Sequence, residues 1–374
     1  AERIEFDDDR IRLHLRDLQV LFERPLQQSL YLGTGGSEGD AGLKGRPKPL
    51  CYGRCFHVPA VLIDAATLTY QVHDGQISGI DAVFDSGLAL SAGTEPPAPS
   101  HYAVDLAAGT FRLGSAPDGP VTAHVRGDAT GGAYAEDAAS LMLRIAMRAT
   151  GLSLIDWGAF AALTLAAPMA AGFFANQETG MLSALDSLAD SIGAHFGFNR
   201  QGQFTVGRLT EPSVTATESF DDSAIVSLER EPFALPIWRQ KLGYARYWRP
   251  LSDGESAAAL GAEARSDLAA SHRYADASDP AIQIRHKLAG DTQKDGLLAT
   301  ASDAGAEAAR RLALFGIARD LFRVRVQTRP YSLSIGSTIR ISYPRHGLAG
   351  GRNLVLAGLS EDSAFDEAEL TLWG

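Results

Sequence analysis

The spacing of the hydrophobic residues changes twice along this chain, and this change limits the fold more than any other sequence feature. The first 120 residues or so have the pattern of strands and turns, and IRLHLRDL alternates strictly, with Ile11, Leu13 and Leu15 on one face. Such alternation is typical of β-strands. It returns later in the chain. We therefore expect strands at 203–208, 239–248 and 321–328.

Between the strand-rich parts, apolar residues recur at the spacing of an amphipathic helix. Helices are predicted at 136–149, 181–196 and 303–319. Asp303 is the expected N-cap of the third helix, because its side chain can accept a backbone N–H. The Ala- and Ser-rich loop 252–279 is expected to carry one helix. The apolar stretch 152–174 is interpreted as buried helix and turn.

These patterns predict an α+β, β-dominated fold in which two β-barrel-like domains flank an α/β insert. Residues 1–120 are expected to form the first β-rich domain and residues 121–211 the insert. Residues 212–374 would form the second β-rich domain, with helical insertions at about 252–320. A chain of 374 residues has room for two or three domains of ordinary size.

The composition excludes several classes of protein. The net charge of −11 argues against general binding of nucleic acid, which requires a basic surface. No apolar run reaches the length of about 20 residues that spans a bilayer. Two cysteines cannot form a disulfide framework, so the chain is suited to a reducing cytoplasm.

The segment GRPKPLCYGRCFHVPA, residues 45–60, could hold a metal or could belong to the scaffold. Cys51, Cys55 and His57 offer three ligands, but structural zinc sites usually have four, often as two close pairs, and no second cysteine pair exists. Cys51 and Cys55 are four positions apart and would share one face of a strand. We therefore expect both cysteines in the core and no metal site.

The glycine-rich stretch GTGGSEG does not match a nucleotide-binding loop. Gly33 and Gly35 fit the dinucleotide pattern G-x-G-x-x-G, but Glu38 occupies the place of the third glycine. The Lys-Ser/Thr end of a P-loop is also missing. A flexible loop between two strands is the expectation, and no cofactor is predicted.

The known catalytic patterns that we compared with the sequence do not fit it. The nine histidines form no H-E-x-x-H pair, and G-x-S-x-G is absent. His195 is assigned to the polar edge of the helix predicted at 181–196. The acidic pairs Asp221-Asp222 and Glu361-Asp362 could imitate glycosidase carboxylates, but such pairs in loops are mostly solvated. We expect no catalytic residues and no enzyme activity.

Several segments, in their order along the chain, resemble those of the tail hub proteins of long-tailed bacteriophages, including siphophages and Mu-like prophages. They are LKGRPKPLCYGRCFHVPAVLID, YQVHDG, LDSLADSIGAHFGFNRQGQFTVGRL, PIWRQKLGYARYW, AEAARRLALFG, PRHGLAGGRNLVLAGL and the final LTLWG. The resemblance covers almost the whole chain. Cys51 and Cys55 are not expected as family markers, so the resemblance implies that they are incidental.

The resemblance implies a fold similar to the central baseplate hub of contractile-tailed phages and a structural role in the phage tail tip. Three copies would form a ring that joins the tail tube to the central fibre or spike. The implied partners are the distal tail and tail tube proteins, the tape measure protein and the fibre or spike protein. DNA would pass through a lumen lined with acidic residues without specific binding.

The same resemblance places the protein in the virion, at the tail tip, after assembly in the cytoplasm of the host bacterium. Arg46, Lys48 and Arg54 would then serve subunit contacts, where arginine is favoured. Two alternatives remain. One is a cell-wall hydrolase of the tail. The other is a glycan-binding module in which Tyr244, Tyr247 and Trp248 stack on sugars.

Overall fold

The fold is α+β and dominated by β-structure, which confirms the class predicted from the sequence. The computed structural model describes residues 3–7, 10–14, 16–232, 234–327, 332–362 and 366–374. Within these ranges, 23 strands form six sheets, and six α-helices accompany them.

The elements are numbered in chain order. The first strands are β1 (Arg3–Asp7), β2 (Arg10–His14), β3 (Leu50–Pro59), β4 (Val61–Asp64), β5 (Thr69–Gln71), β6 (Ile77–Asp85), β7 (Leu88–Ala89), β8 (Ser91–Ala92), β9 (His101–Asp105), β10 (Thr110–Leu113) and β11 (Val121–Asp128). The next strands are β12 (Gly172–Ala175), β13 (Ala194–Phe198), β14 (Phe204–Arg208), β15 (Glu218–Phe220), β16 (Ile225–Pro232), β17 (Ile237–Tyr244), β18 (Arg273–Ser278) and β19 (Gly290–Leu298). The last strands are β20 (Asp320–Val326), β21 (Thr338–Ile341), β22 (Arg352–Asp362) and β23 (Glu367–Trp373). The helices are α1 (Ala138–Met147), α2 (Trp157–Ala166), α3 (Met181–Ser191), α4 (Ala262–Ala269), α5 (Pro280–Arg285) and α6 (Ala301–Phe315).

Two five-stranded sheets enclose the first β-core. Their strand orders are β4-β5-β10-β9-β8 and β12-β3-β11-β6-β7. The side chains of β3 alternate between two environments, as a strand requires. Leu50 and Tyr52 pack in the neighbouring α/β core, whereas Cys51 packs in the first β-core with Val58 and Phe111.

Strand β12 reaches the first sheet from the middle of the chain and pairs antiparallel with β3. A Cβ on Gly172 would lie 1.9 Å from the carbonyl oxygen of Arg54, far inside van der Waals contact. Glycine is therefore needed for β12 to approach β3. The sheet thus ties the middle of the chain to its first part.

The α/β core lies between the two strand-rich parts. Helices α1, α2, α3 and α6 pack there with the β13–β14 hairpin and the sheet of order β18-β17-β19. Its fully buried side chains include Leu141, Met142, Leu185, Phe204 and Leu298. Elements from 237–315 thus share a core with elements from the predicted insert. The domain boundaries at 120 and 211 stay a prediction.

A six-stranded sheet of order β15-β21-β22-β23-β20-β16 forms around the second β-core. Phe322, Val324, Ile339 and Leu370 are completely buried in it. Trp373 in the last strand is 2% exposed, and its ring packs against other side chains. Strand β23 is therefore packed against α6 at Trp373.

Two predicted helices have different ends in the structure. The helix predicted at 181–196 ends at Ser191, because Gly193 at φ +62° turns the chain and β13 begins at once. Helix α6 begins at Ala301, and the side chain of Thr300 accepts the N–H of Asp303. Thr300 is the N-cap, so the assignment of the cap to Asp303 was wrong.

The other local predictions are met in part. Loop 252–279 carries α4 as expected, but it also contains β18, which the sequence did not indicate. The strand predicted at 239–248 is β17 and ends at Tyr244. Strands β2 and β20 confirm two others, although Leu15 and Thr328 lie outside the described residues.

Candidate assembly surfaces

Two of the three residues that suggested a metal site, Cys51 and Cys55, are neighbours in the structure. Cys51 and Cys55 are buried in the first β-core, where burial and the neighbouring Cys55 raise the pKa of the Cys51 thiol. The Nδ1 atom of His57 lies 3.0 Å from the Thr122 hydroxyl. In the described ranges, no group of three or more His, Cys, Asp or Glu side chains is placed to hold a metal ion.

His57 belongs instead to a buried aromatic cluster. Its ring lies 4.5 Å from that of His124 and 4.3 Å from that of Tyr247, measured between ring centroids. Burial lowers the pKa of His57 to about 3 and that of His124 to about 4, so both rings are neutral near pH 7. The cluster joins segment 245–249 to the first sheet, where the N–H of Trp248 donates to the carbonyl of Phe56 at 3.1 Å.

The aromatic residues that suggested sugar stacking also pack within the chain. The ring edge of Trp248 lies against Phe173 and Phe174, and the Arg246 guanidinium lies 4.0 Å from its centroid. Tyr247 is covered by Arg273 at 3.7 Å. These contacts give the rings a structural role that sequence alone does not indicate.

Glu38 closes the glycine-rich loop. Its carboxylate accepts the N–H of Leu32 at 3.1 Å and the ammonium of Lys48 at 2.7 Å. The N–H of Gly33 donates to the Glu38 carbonyl at 2.9 Å. The loop is therefore held by its own hydrogen bonds. Lys48 is 9% exposed and is engaged within the chain, whereas Arg46 and Arg54 are exposed.

A buried ionic network links α6 to β14. Glu307 is completely buried and accepts from Arg310 Nε and Arg311 Nε, each at 2.7 Å, and also from Arg208. Burial alone would raise the pKa of Glu307, but the hydrogen bonds and charges of the arginines outweigh it and lower the pKa. One carboxylate thus accepts hydrogen bonds from three guanidinium groups at the side of the α/β core.

A cleft of about 1220 Å³ separates the α/β core from the six-stranded sheet. His195, Phe198 and Leu314 line one side, and Leu333 and Leu356 line the other. His195 lies on strand β13, so its assignment to a helix edge was wrong. Burial lowers the pKa of this histidine. Sequence gave no sign of the cleft, because its walls come from distant segments.

One carboxylate of each acidic pair, Asp221 and Glu361, is engaged within the chain. Asp221 accepts the N–H and the hydroxyl of Ser223 at 3.0 and 2.6 Å, and these bonds lower its pKa. The Arg200 guanidinium donates two hydrogen bonds to the Glu361 carboxylate, at 2.6 and 2.8 Å, in a bidentate ion pair. The side chain of Asp362 lies outside the described residues. These contacts are typical of turn formation and ion pairing.

Helices α1 and α2 leave an apolar groove of about 560 Å³, here called the α1–α2 groove. The two helices run antiparallel, since the Thr164 hydroxyl near the end of α2 donates to Asp137 before α1 at 3.3 Å. The groove is lined by Ser140, Leu143, Trp157, Phe160, Ala161, Thr164, Leu165 and Pro168.

The outer face of α2 is exposed although it is apolar. Leu165 is 84% exposed, Leu152 before the helix 60% and Trp157 50%. The expectation that 152–174 is buried helix and turn was therefore wrong for this face. The signal in the sequence is the lack of any charged residue from 157 to 177, because a helix without a polar face is normally covered. Large exposed apolar patches are rare on monomeric proteins.

Strands β1 and β2 form a second exposed apolar surface, here called the β1–β2 ribbon. The register pairs Phe6 with Ile11, and Ile4 lies two positions before Phe6, so Ile4, Phe6 and Ile11 share one face. Phe6 is 77% exposed, Ile11 66% and Ile4 51%. An isolated two-stranded hairpin is only marginally stable in water. The sequence predicted the alternation of this segment, but not that its apolar face lacks a partner within the described chain.

Among the described residues, no helix has the length and apolar character needed to cross a membrane. No family model matches the chain, and no curated protein matches it. Comparison with solved structures does give matches. The chain aligns with a chain in the virion of a native gene transfer agent particle with a TM-score of 0.51 and 15% identity. The alignment covers 88% of this chain and 84% of that chain, so the two share a fold.

Other solved neighbours are tail proteins with lower scores. A tail protein from Neisseria meningitidis MC58 is 13% identical, with a TM-score of 0.36 and coverage of 89% of this chain and 94% of that chain. A prophage tail protein from Listeria monocytogenes EGD-e is 10% identical, with a TM-score of 0.32 and coverage of 87% of each chain.

Proposed function

We propose that this protein is a structural component of the phage tail tip or baseplate hub. Three copies form a ring that joins the tail tube to the central fibre or spike and lines the channel through which DNA leaves. Its neighbours in the assembly are the distal tail or tail tube proteins, the tape measure protein and the fibre or spike protein. The protein is assembled in the cytoplasm of the host bacterium and acts at the tip of the virion tail.

The observation that carries this proposal is the fold shared with a virion chain over 88% of the sequence. The order of the tail-hub-like segments along the chain supports it independently. The exposed apolar surfaces of α2 and of the β1–β2 ribbon also fit a protein that works inside an assembly, since monomeric proteins rarely expose such patches.

The net charge of −11 is consistent with a channel through which DNA passes without binding to the wall. Acidic residues around a lumen repel the phosphate backbone and so lower the friction on the moving duplex. A cryo-EM map of the ring with a neutral or basic bore would contradict this part of the proposal.

The experiment that tests the proposed function is immunogold labelling of particles from a producing strain. The antibody must first be shown to bind the native protein. We expect gold particles at tail tips and nowhere else on the virion. Intact tails that carry no label would remove the protein as an exposed component of the tip.

A further inference from the structure

We propose that the cleft between the α/β core and the six-stranded sheet binds an extended segment of a partner protein that carries both carboxylates and apolar side chains. The inference goes beyond the proposed function and does not depend on it, because the cleft is formed within one chain. Positive charge and apolar surface lie side by side in the cleft, and each selects one feature of the segment.

Positive charge is concentrated in the cleft. Among the described residues that line it, six are arginine or lysine and three are aspartate or glutamate. The whole chain has the opposite balance, with 34 basic and 45 acidic residues. Half of the lining cations belong to the Glu307 network, namely Arg208, Arg310 and Arg311. An acidic segment is therefore attracted to the cleft, although the chain as a whole repels it.

The Glu307 network carries more positive than negative charge, because one carboxylate faces three guanidinium groups. Burial lowers the pKa of Arg208, and the charges of Arg310 and Arg311 act in the same direction. A carboxylate from outside would offset this repulsion between the arginines. The carboxylates that line the cleft have partners of their own, which are Lys294 for Asp190, Thr205 for Asp156 and Arg200 for Glu361.

Two of the three arginines keep N–H groups for such a carboxylate. A guanidinium has five N–H groups. Within the described chain, Arg310 makes three hydrogen bonds, two to Glu307 and one to the Leu209 carbonyl at 2.7 Å. Arg311 makes two, to Glu307 and to the Asp190 carbonyl. The side chain of Arg310 is 24% exposed and is the most accessible of the three, so a bound segment reaches it first.

The apolar side chains of the cleft are partly uncovered. Leu235 is 61% exposed, Ile317 57% and Ile335 45%, and all three line the cleft. Its volume of about 1220 Å³ exceeds the range of about 300–1,000 Å³ that is usual for small-molecule sites. A small anion would leave these apolar side chains in water. A polypeptide segment covers them and also brings a carboxylate to the arginines.

Fluorescence anisotropy of a labelled peptide tests the inference. The probe is a peptide of about eight residues in which leucine and glutamate alternate, so that the extended peptide has one apolar and one acidic face. The matched probe has glutamine in place of glutamate. We expect the acidic peptide to bind with a dissociation constant of about 0.1 mM or lower, at least about tenfold more tightly than the glutamine peptide. Equal binding of the two peptides, or no binding of the acidic one up to about 1 mM, would overturn the inference.

Arg310→Gln tests whether the acidic peptide binds at the arginines. It removes one cation from the cleft and leaves Glu307 with two arginines. Arg285→Gln is the control, because it removes an exposed cation that does not line the cleft. We expect Arg310→Gln to raise the dissociation constant of the acidic peptide at least about tenfold and Arg285→Gln to raise it less than about twofold. Equal effects would contradict the inference.

Leu235→Asp gives a second test that does not disturb the Glu307 network. Leu235 is exposed, so the variant should fold, and it places a carboxylate beside the bound segment. We expect the dissociation constant of the acidic peptide to rise at least about tenfold. Val214→Asp is the matched control, since Val214 is 99% exposed, does not line the cleft and changes the net charge equally. If both variants weaken binding to the same extent, general repulsion governs it and the inference is refuted.

Inorganic phosphate separates a polypeptide site from a site for a small anion. Thermal unfolding is followed with the acidic peptide and with phosphate at the same concentration. We expect the peptide to raise the Tm and phosphate to leave it unchanged, because a ligand stabilises the folded chain only where it binds. Phosphate that raises the Tm as much as the peptide does would assign the cleft to a small anion and overturn the inference. The tail-tip function stands in either case, because labelling of virions tests it separately.

Discussion

Glu307 shows how strongly one residue can bind two elements. Its carboxylate has no contact with solvent and holds arginines from α6 and from β14. The arginines lie in turn against other parts of the α/β core, since Arg310 donates to the Leu209 carbonyl at 2.7 Å. Removal of the carboxylate would leave three cations facing one another without a counter-charge.

We expect Glu307→Gln to lower the free energy of unfolding by about 3–5 kcal/mol, because it breaks a buried ionic network. Urea unfolding at pH 7 measures this loss. Asp276→Asn is the control, as it breaks the partly exposed pair of Asp276 with Arg239 at 3.1 Å and should cost less than about 1 kcal/mol. Equal losses in the two variants would contradict the importance given to the network.

The same variant has a predicted dependence on pH. The folded chain holds the pKa of Glu307 below its ordinary value of 4.5, so the stabilisation is present above pH 4.5. It is lost as the pH falls through the lowered pKa of the folded state. The stability difference between the wild type and Glu307→Gln should therefore shrink below about pH 4.5. If the stability difference between the two proteins stays constant down to the pH at which the chain unfolds in acid, the lowered pKa of Glu307 would be contradicted.

At the scale of the element, α6 shows how the start of a helix is decided. The Thr300 hydroxyl accepts the N–H of Asp303 at 3.1 Å and so caps the first turn. Asp303 lies inside that turn, where a negative charge is favourable to the helix dipole. The sequence contains both residues, and only the backbone conformation shows which one is the cap.

Thr300→Ala should lower the free energy of unfolding by about 1 kcal/mol, because it removes the cap. Asp303→Ala should cost only about 0.3–1 kcal/mol, and this smaller loss should decrease as salt is added. Chemical unfolding at low and high salt distinguishes the two. A larger loss from Asp303→Ala than from Thr300→Ala would restore Asp303 as the cap.

At the scale of the whole molecule, net charge decides what the surface can bind. The chain carries 45 acidic and 34 basic residues, and several arginines are used in ion pairs within the chain. We expect the purified assembly not to shift duplex DNA in an electrophoretic assay at about 50 mM salt, because binding needs phosphate-neutralising cations. A basic DNA-binding protein run in parallel serves as the positive control. A shift that persists at physiological salt would contradict a channel that DNA only passes through.

Much of the local structure follows from the sequence. The apolar residues of α1 and of α3 recur at helical spacing, and apolar and polar residues alternate in β20. The local spacing of apolar residues therefore predicts which of these elements are helices and which is a strand. Their ends are less determined. Helix α3 stops at Ser191 rather than at 196, because Gly193 adopts a conformation that side-chain spacing does not reveal.

The pairing of distant segments was decided by tertiary structure. Strand β12 lies beside β3, and α6 shares a core with α1 and α3, although more than one hundred residues separate them in each case. No local pattern encodes such partners. The exposed apolar face of α2 is a further case, because α2 has the composition of a buried helix and only the packed chain shows that Leu165 stays outside. The spacing of apolar residues and the net charge can be read from the sequence directly, because they do not depend on how the chain packs. Burial is different, because it depends on which distant segments cover a residue after folding.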